Sequence, residues 1–178
     1  EVDINPDAVR IYCHLLYKEK HEFADSVQVS RVSCRLAANG NRQPADSYGE
    51  THASTADSTS RVLAMAAFQA HALKHGYIDR LKISDFDVHG AFLHVKLNSP
   101  RQLIMRMPLE MNHPLAGCWV EVLKSIYGLK QSNHAFDADL RAVITSAGFC
   151  ATRDPCIYVK NHSASYIAAN PEAHKERC

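Results

Sequence analysis

Two short β-prone runs, residues 11–17 and 27–36, are separated by a polar, charged segment and predict an antiparallel strand pair near the N-terminus. Residues 39–60 are rich in Asn, Ser, Thr, Asp and Gly and read as a long loop. The pattern then turns helical. Leu63, Ala66, Ala67, Ala70 and Leu73 recur at helical spacing, Asp57 or Ser58 can cap the start and Gly76 can end it, so a helix with one buried face is expected. Over 81–88 the period falls to two, which places Ile83, Asp85 and Asp87 on one face of a strand and Ser84, Phe86 and Val88 on the other. Further strands are expected at 102–107, 119–123 and 157–159, with Pro108 and Pro114 in the first connection. A second amphipathic helix carries Phe136, Leu140, Val143, Ile144 and Ala147. Asn133 can cap it, Asp137 and Asp139 suit its positive end, and Gly148 closes it. The last residues, 168–178, are polar and without period.

Mixed helices and strands without regular βαβ alternation imply an α+β fold, with helices packed on one face of a mainly antiparallel sheet. The chain has 178 residues and 46% hydrophobic content, enough for one domain or two small lobes sharing a core. With 20 basic and 19 acidic residues, any nucleic-acid contact has to come from a local patch. Six scattered cysteines lack a C-x-x-C pair and read as reduced structural thiols. None of the eleven histidines pairs with another histidine or a cysteine at a recognised zinc-ligand spacing in a convincing context, so each reads as satisfied or solvated. No stretch approaches the roughly 20 apolar residues of a membrane span. A soluble intracellular protein, cytoplasmic or nuclear, is the expectation.

Several ordered segments narrow the picture. Ser33 to Gly40 with Gln43 is similar to K-A-R-L-V-A-K-G-x-x-Q, and Tyr48 to Thr51 to Y-x-E-T. Ser60 to Ala66 is similar to S-I-R-x-L-L-A-L-A, and Asp87 to Leu97 to D-V-K-x-A-F-L-x-G-x-L. Lys124 to Gln131 nearly reproduces K-S-L-Y-G-L-K-Q, and Gly148-Phe149 with Asp154 to Tyr158 is similar to G-F…D-P-C-L-Y. In this order and at these spacings, the chain resembles the fingers and the front half of the palm of copia-type retrotransposon reverse transcriptases. The matches fall across most of residues 17–160 and imply a partial reverse transcriptase domain at 1–160, with a fingers hairpin at about 10–45 and an incomplete palm at about 57–160, followed by a polar tail at 161–178.

The resemblance implies specific roles. Asp87 would be the first catalytic carboxylate and a magnesium ligand. The backbone after it, Val88, His89, Gly90 and Ala91, would lie beside the incoming triphosphate, and Phe92 would block a ribose 2′-hydroxyl. Arg35 would reach the phosphates through its guanidinium. Tyr127, Gly128, Lys130 and Gln131 would line the template side of the cleft. The partners implied are an RNA or DNA template-primer and deoxynucleoside triphosphates. Without the motifs, Asp87 would read as a solvated turn residue, Phe92 as core and Arg35 as a surface charge.

Departures limit the expected activity. The Y-V-D-D hairpin that completes the metal site has no counterpart in the sequence, and residues 161–170 contain no acid. One carboxylate cannot hold two magnesium ions, so polymerisation by this chain alone is not expected. Ser33 replaces a lysine, and Ser132 to Phe136 lacks the arginine and tryptophan of A-P-R-x-W. The alternative is a repurposed, non-catalytic protein- or RNA-binding domain in a larger assembly. An incomplete palm would also leave an open sheet edge beside Asp87, to be covered by a C-terminal segment or a partner protein.

Overall fold

The structure, a computed structural model, describes residues 3–21 and 29–160. The chain divides into two compact units, Glu1–Ala53 with His89–Asp139 and Ser54–Val88 with Leu140–Cys178.

The first unit is built on a four-stranded sheet of order β2-β1-β3-β4. Its strands are β1 (Val9–His21), β2 (Val29–Ala38), β3 (Leu103–Arg106) and β4 (Trp119–Glu121). The expected N-terminal hairpin is present and longer than its apolar runs. β1 and β2 pair antiparallel from Cys13↔Ala38 onward, with a bulge between Lys20 and His21. Val27, expected in the second strand, lies outside the described residues. β3 and β4 are also antiparallel, but β1 and β3 run parallel, so the sheet is mixed. Leu103, Ile104 and Met105 are all buried, as an inner strand requires. Pro108 follows β3, lacks an N–H, and cannot continue the ladder with β1. The core joins Val9, Ile11, Ala38, Leu103 and Leu129, with Leu97, Val122 and Ile126 packed against it. The expected loop at 39–60 contains two 3-10 turns, Gly40–Arg42 and Ala45–Ser47.

In the second unit, α1 (Ser58–Lys74) begins where the cap signal places it. The Asp57 carboxylate accepts the Ser60 N–H at 2.9 Å. The helix ends in a Schellman motif around Gly76, which has φ +71°. There the Gly76 N–H donates to Leu73 O at 3.2 Å and the Tyr77 N–H to Ala72 O at 2.9 Å.

Two expectations fail here. Residues 81–88 form no strand, and Ile83 and Phe86 are 70% and 88% exposed. Alternation is only a surface pattern until a neighbouring strand supplies hydrogen bonds, and Ser84, Asp85 and Asp87 have weak strand preference. The unpaired edge expected beside Asp87 is therefore absent from the described residues. The buried face expected of α1 fails as well. Val62, Leu63, Met65, Phe68 and Leu73 are exposed, and Ala72 is the buried residue of the helix.

α3 (Ser132–Ser146) runs from the first unit into the second. It starts one residue before Asn133, which is therefore inside the helix and not its cap. Gly148, at φ +86°, closes it with a second Schellman motif, Gly148 N–H to Thr145 O at 2.9 Å and Phe149 N–H to Ile144 O at 3.3 Å. β5 (Cys150–Ala151) and β6 (Tyr158–Val159) pair antiparallel, which places the last expected strand in a short hairpin. Among the described residues no helix is long and apolar enough to cross a membrane.

Candidate functional site

The motif residues of the first unit come from three distant stretches and meet at the end of β2. A pair of glycines sets that meeting. A Cβ on Gly40 would lie 1.9 Å from Gly128 O, and one on Gly128 would lie 2.1 Å from Ala38 O. Gly128 also has φ +91°, a conformation that side chains rarely adopt. Only two bare backbones can approach this closely, and the Ala38 N–H donates to Tyr127 O at 2.8 Å across the contact.

Tyr127 is the centre of the resulting cluster. The Arg35 guanidinium carbon lies 5.3 Å from its ring centroid, a cation–π distance. Phe92 meets it edge-on at 5.0 Å and meets Phe136 at 6.2 Å. Phe92 is held by α2 (Ala91–His94), which begins at Gly90 in the left-handed conformation. The Leu93 N–H donates to Gly90 O at 2.8 Å, and His94 Nε2 lies 3.0 Å from His89 O. Gly90, Ala91, Phe92 and Tyr127 are half-buried, whereas His89 and Arg35 are exposed.

A polar cluster adjoins this one in sequence. Gln43 Nε2 donates to Gln131 Oε1 at 2.9 Å, with both glutamines buried. Gln43 Oε1 accepts the Lys130 N–H at 3.3 Å. The Lys130 ammonium reaches Tyr48 Oη at 3.1 Å and Gln43 O at 3.5 Å, and lies 4.9 Å from the Tyr48 ring centroid. Gln131 Nε2 and Ser125 Oγ are buried without a partner among the described residues. Nearby in sequence, backbone N–H groups of His52 and Thr51 hold the Glu50 carboxyl below its ordinary value. The His52 carbonyl in turn lies 2.7 Å from His134 Nδ1.

Asp87 and Val88 belong to the second unit, while His89, Gly90, Ala91 and Phe92 belong to the first. Asp87 is exposed in an irregular stretch, as is Asp85. Among the described residues no group of three or more His, Cys, Asp or Glu converges on a possible metal position. These donors do not fit a pair of magnesium ions, each of which asks for octahedral oxygen coordination.

Sequence reasoning gave no role to Gly40, Gln43, Tyr48 or Asp154, although each sits in a motif. Gln43 and Tyr48 are the partners that hold Lys130. Asp154 organises the start of α1: its carboxylate accepts the Cys156 N–H at 2.9 Å and the Asp57 N–H at 3.1 Å. The motif positions were the available signal. Apart from Cys156, two residues after Asp154, the partners lie 82–97 residues away, and a single sequence does not display such pairings.

The chain is similar to two curated proteins of Arabidopsis thaliana. It is 27% identical over 91% of its length to the retrovirus-related Pol polyprotein from transposon RE2. It is also 27% identical over 87% of its length to the retrovirus-related Pol polyprotein from transposon RE1. The chain spans about a tenth of the length of each relative. These similarities support a retrotransposon Pol origin for this region. No family model matches the chain, and no solved structure matches it.

Proposed function

We propose that the chain is the fingers and front-palm portion of a copia-type RNA-directed DNA polymerase, part of a longer Pol polyprotein. Its partners in this reading are an RNA or DNA template-primer and a deoxynucleoside triphosphate. The observation that carries it is the Arg35–Tyr127–Phe92 cluster. Residues singled out from three separate motifs share one locus, which random surface positions have no reason to do. The guanidinium, exposed and supported by an aromatic face, can offer bidentate donors to phosphate oxygens. The similarity to Pol polyproteins supports the same reading.

Within this reading the chain binds and positions but does not polymerise by itself. Polymerases of this type use magnesium held by several carboxylates, and the described donors do not fit it. A magnesium-dependent primer-extension assay on this chain is expected to show no incorporation; incorporation abolished by Asp87→Ala would overturn the inactive reading. Binding to an RNA–DNA duplex is expected to weaken with salt, and a flat response would remove the nucleic-acid assignment.

The lack of fit for magnesium favours a second reading, a repurposed non-catalytic domain that binds RNA or protein. Duplex binding unaffected by deoxynucleoside triphosphates would support that reading over the first.

A further inference from the structure

Two histidines that read singly as solvated side chains meet at the C-terminal end of α1. His71 and His75 are one helical turn apart, their ring centroids are 4.3 Å apart, and both are exposed. The Schellman closure at Gly76 turns the chain back so that Tyr77 joins them. Its hydroxyl hydrogen-bonds His71 Nδ1, and its ring lies 6.5 Å from that of His75, tilted by 21°. All three residues belong to the second unit, so the cluster is local to one helix end and the turn after it.

We propose that His71 and His75 form a two-imidazole chelate for a divalent transition-metal ion of the copper(II) or nickel(II) class, with Tyr77 orienting His71. The donor set carries the choice of metal. A structural zinc site takes four protein ligands, whereas two imidazoles with the remaining positions open suit the nitrogen- and oxygen-bound square-planar or octahedral centres of copper(II) and nickel(II).

The tyrosine contact supports the assignment. In the tautomer that carries its proton on Nδ1 and donates it to the Tyr77 hydroxyl, the lone pair of His71 is on Nε2 and the ring is fixed, the arrangement by which outer partners orient metal-binding imidazoles. The negative end of the α1 dipole further favours a cation at this place. No third His, Cys, Asp or Glu joins the pair among the described residues, so the remaining positions are left to water or a small ligand.

The test uses the full chain, with its cysteines kept reduced by a non-chelating phosphine, titrated with nickel(II) while amide cross-peaks are followed by NMR. At substoichiometric metal, residues 70–78 are expected to lose intensity first. His71→Gln and His75→Gln are each expected to abolish that response while leaving the helical circular dichroism unchanged, because both rings are exposed. Tyr77→Phe is expected to weaken the site about tenfold. First losses elsewhere, around His14 or Cys118 for example, would overturn the proposal, as would a response at 70–78 that survives His75→Gln. Unchanged affinity in Tyr77→Phe would overturn the orienting role.

Discussion

At Gly40 and Gly128 a single methyl group is enough to disrupt the site. The Cβ of Gly40→Ala would fall 1.9 Å from a carbonyl oxygen that belongs to backbone and cannot rotate away. Either glycine changed to alanine is expected to lower stability by at least about 2 kcal/mol, through overpacking at Gly40 and through added backbone strain at Gly128. Urea denaturation midpoints measure this, and a shift equivalent to less than about 0.5 kcal/mol would show that the two backbones do not approach as described. Asp154 acts through charge instead. The Cys156 N–H, the Asp57 N–H and the Ser60 side chain favour its ionised form and lower its pKa, with desolvation opposing them. Its unfolded value is about 3.9, so its contribution is fully present above that value and is lost as pH falls through the lower native one. Asp154→Asn is therefore expected to flatten the decline in thermal stability below about pH 4. An unchanged acid limb would show that other carboxylates dominate it. Both the glycines and Asp154 were visible as motif letters, but the contacts between the two glycine stretches and between Asp154 and Asp57 join residues far apart in sequence.

At the level of elements, boundaries were most legible where local chemistry decides them. Asp57, Gly76 and Gly148 act through hydrogen bonds within a few residues, and the ends of α1 and α3 fall where those residues indicate. Strands whose partners follow at once were legible too, as β1 and β2 show. The alternating stretch 81–88 was misread because its period says nothing about whether a neighbour exists. The parallel pairing of β1 with β3 joins segments more than ninety residues apart, which no local pattern encodes. The exposed stripe of α1 leads to a paired comparison. Ile104 is fully buried, so Ile104→Ala is expected to cost about 2–5 kcal/mol. Phe68 is 53% exposed, so Phe68→Ala is expected to stay within about 0.5 kcal/mol despite deleting a larger side chain. Denaturant midpoints of the two variants decide it; equal losses would mean that the stripe of α1 is buried in solution.

For the molecule as a whole, the candidate site was legible as a set of ordered motifs, and the first unit brings most of them together. The motif at Ser60–Ala66 and that at Gly148–Tyr158 lie in the second unit, and the motif that begins at Asp87 is divided, since the boundary between the units falls after Val88. What the motifs could not reveal is the division of labour between Arg35 and Lys130, two cations of the candidate site. The Lys130 ammonium is engaged with Tyr48 Oη and Gln43 O, so much of its donor capacity serves the protein itself. The Arg35 guanidinium rests on an aromatic face, which leaves its N–H groups available to an anion. Charge-neutral substitutions should therefore separate the two. Under the function proposed above, in a filter-binding titration against an RNA–DNA duplex, Arg35→Gln is expected to reduce the salt slope by about one phosphate contact, roughly 0.7–0.9 in log–log units. Lys130→Gln is expected to leave the slope nearly unchanged and to lower the urea midpoint instead, because it breaks the links that join Lys130 to Gln43 and Tyr48. The reverse pattern, a slope lost with Lys130 and kept with Arg35, would move the phosphate contact to the polar cluster and leave Arg35 as a packing residue on Tyr127.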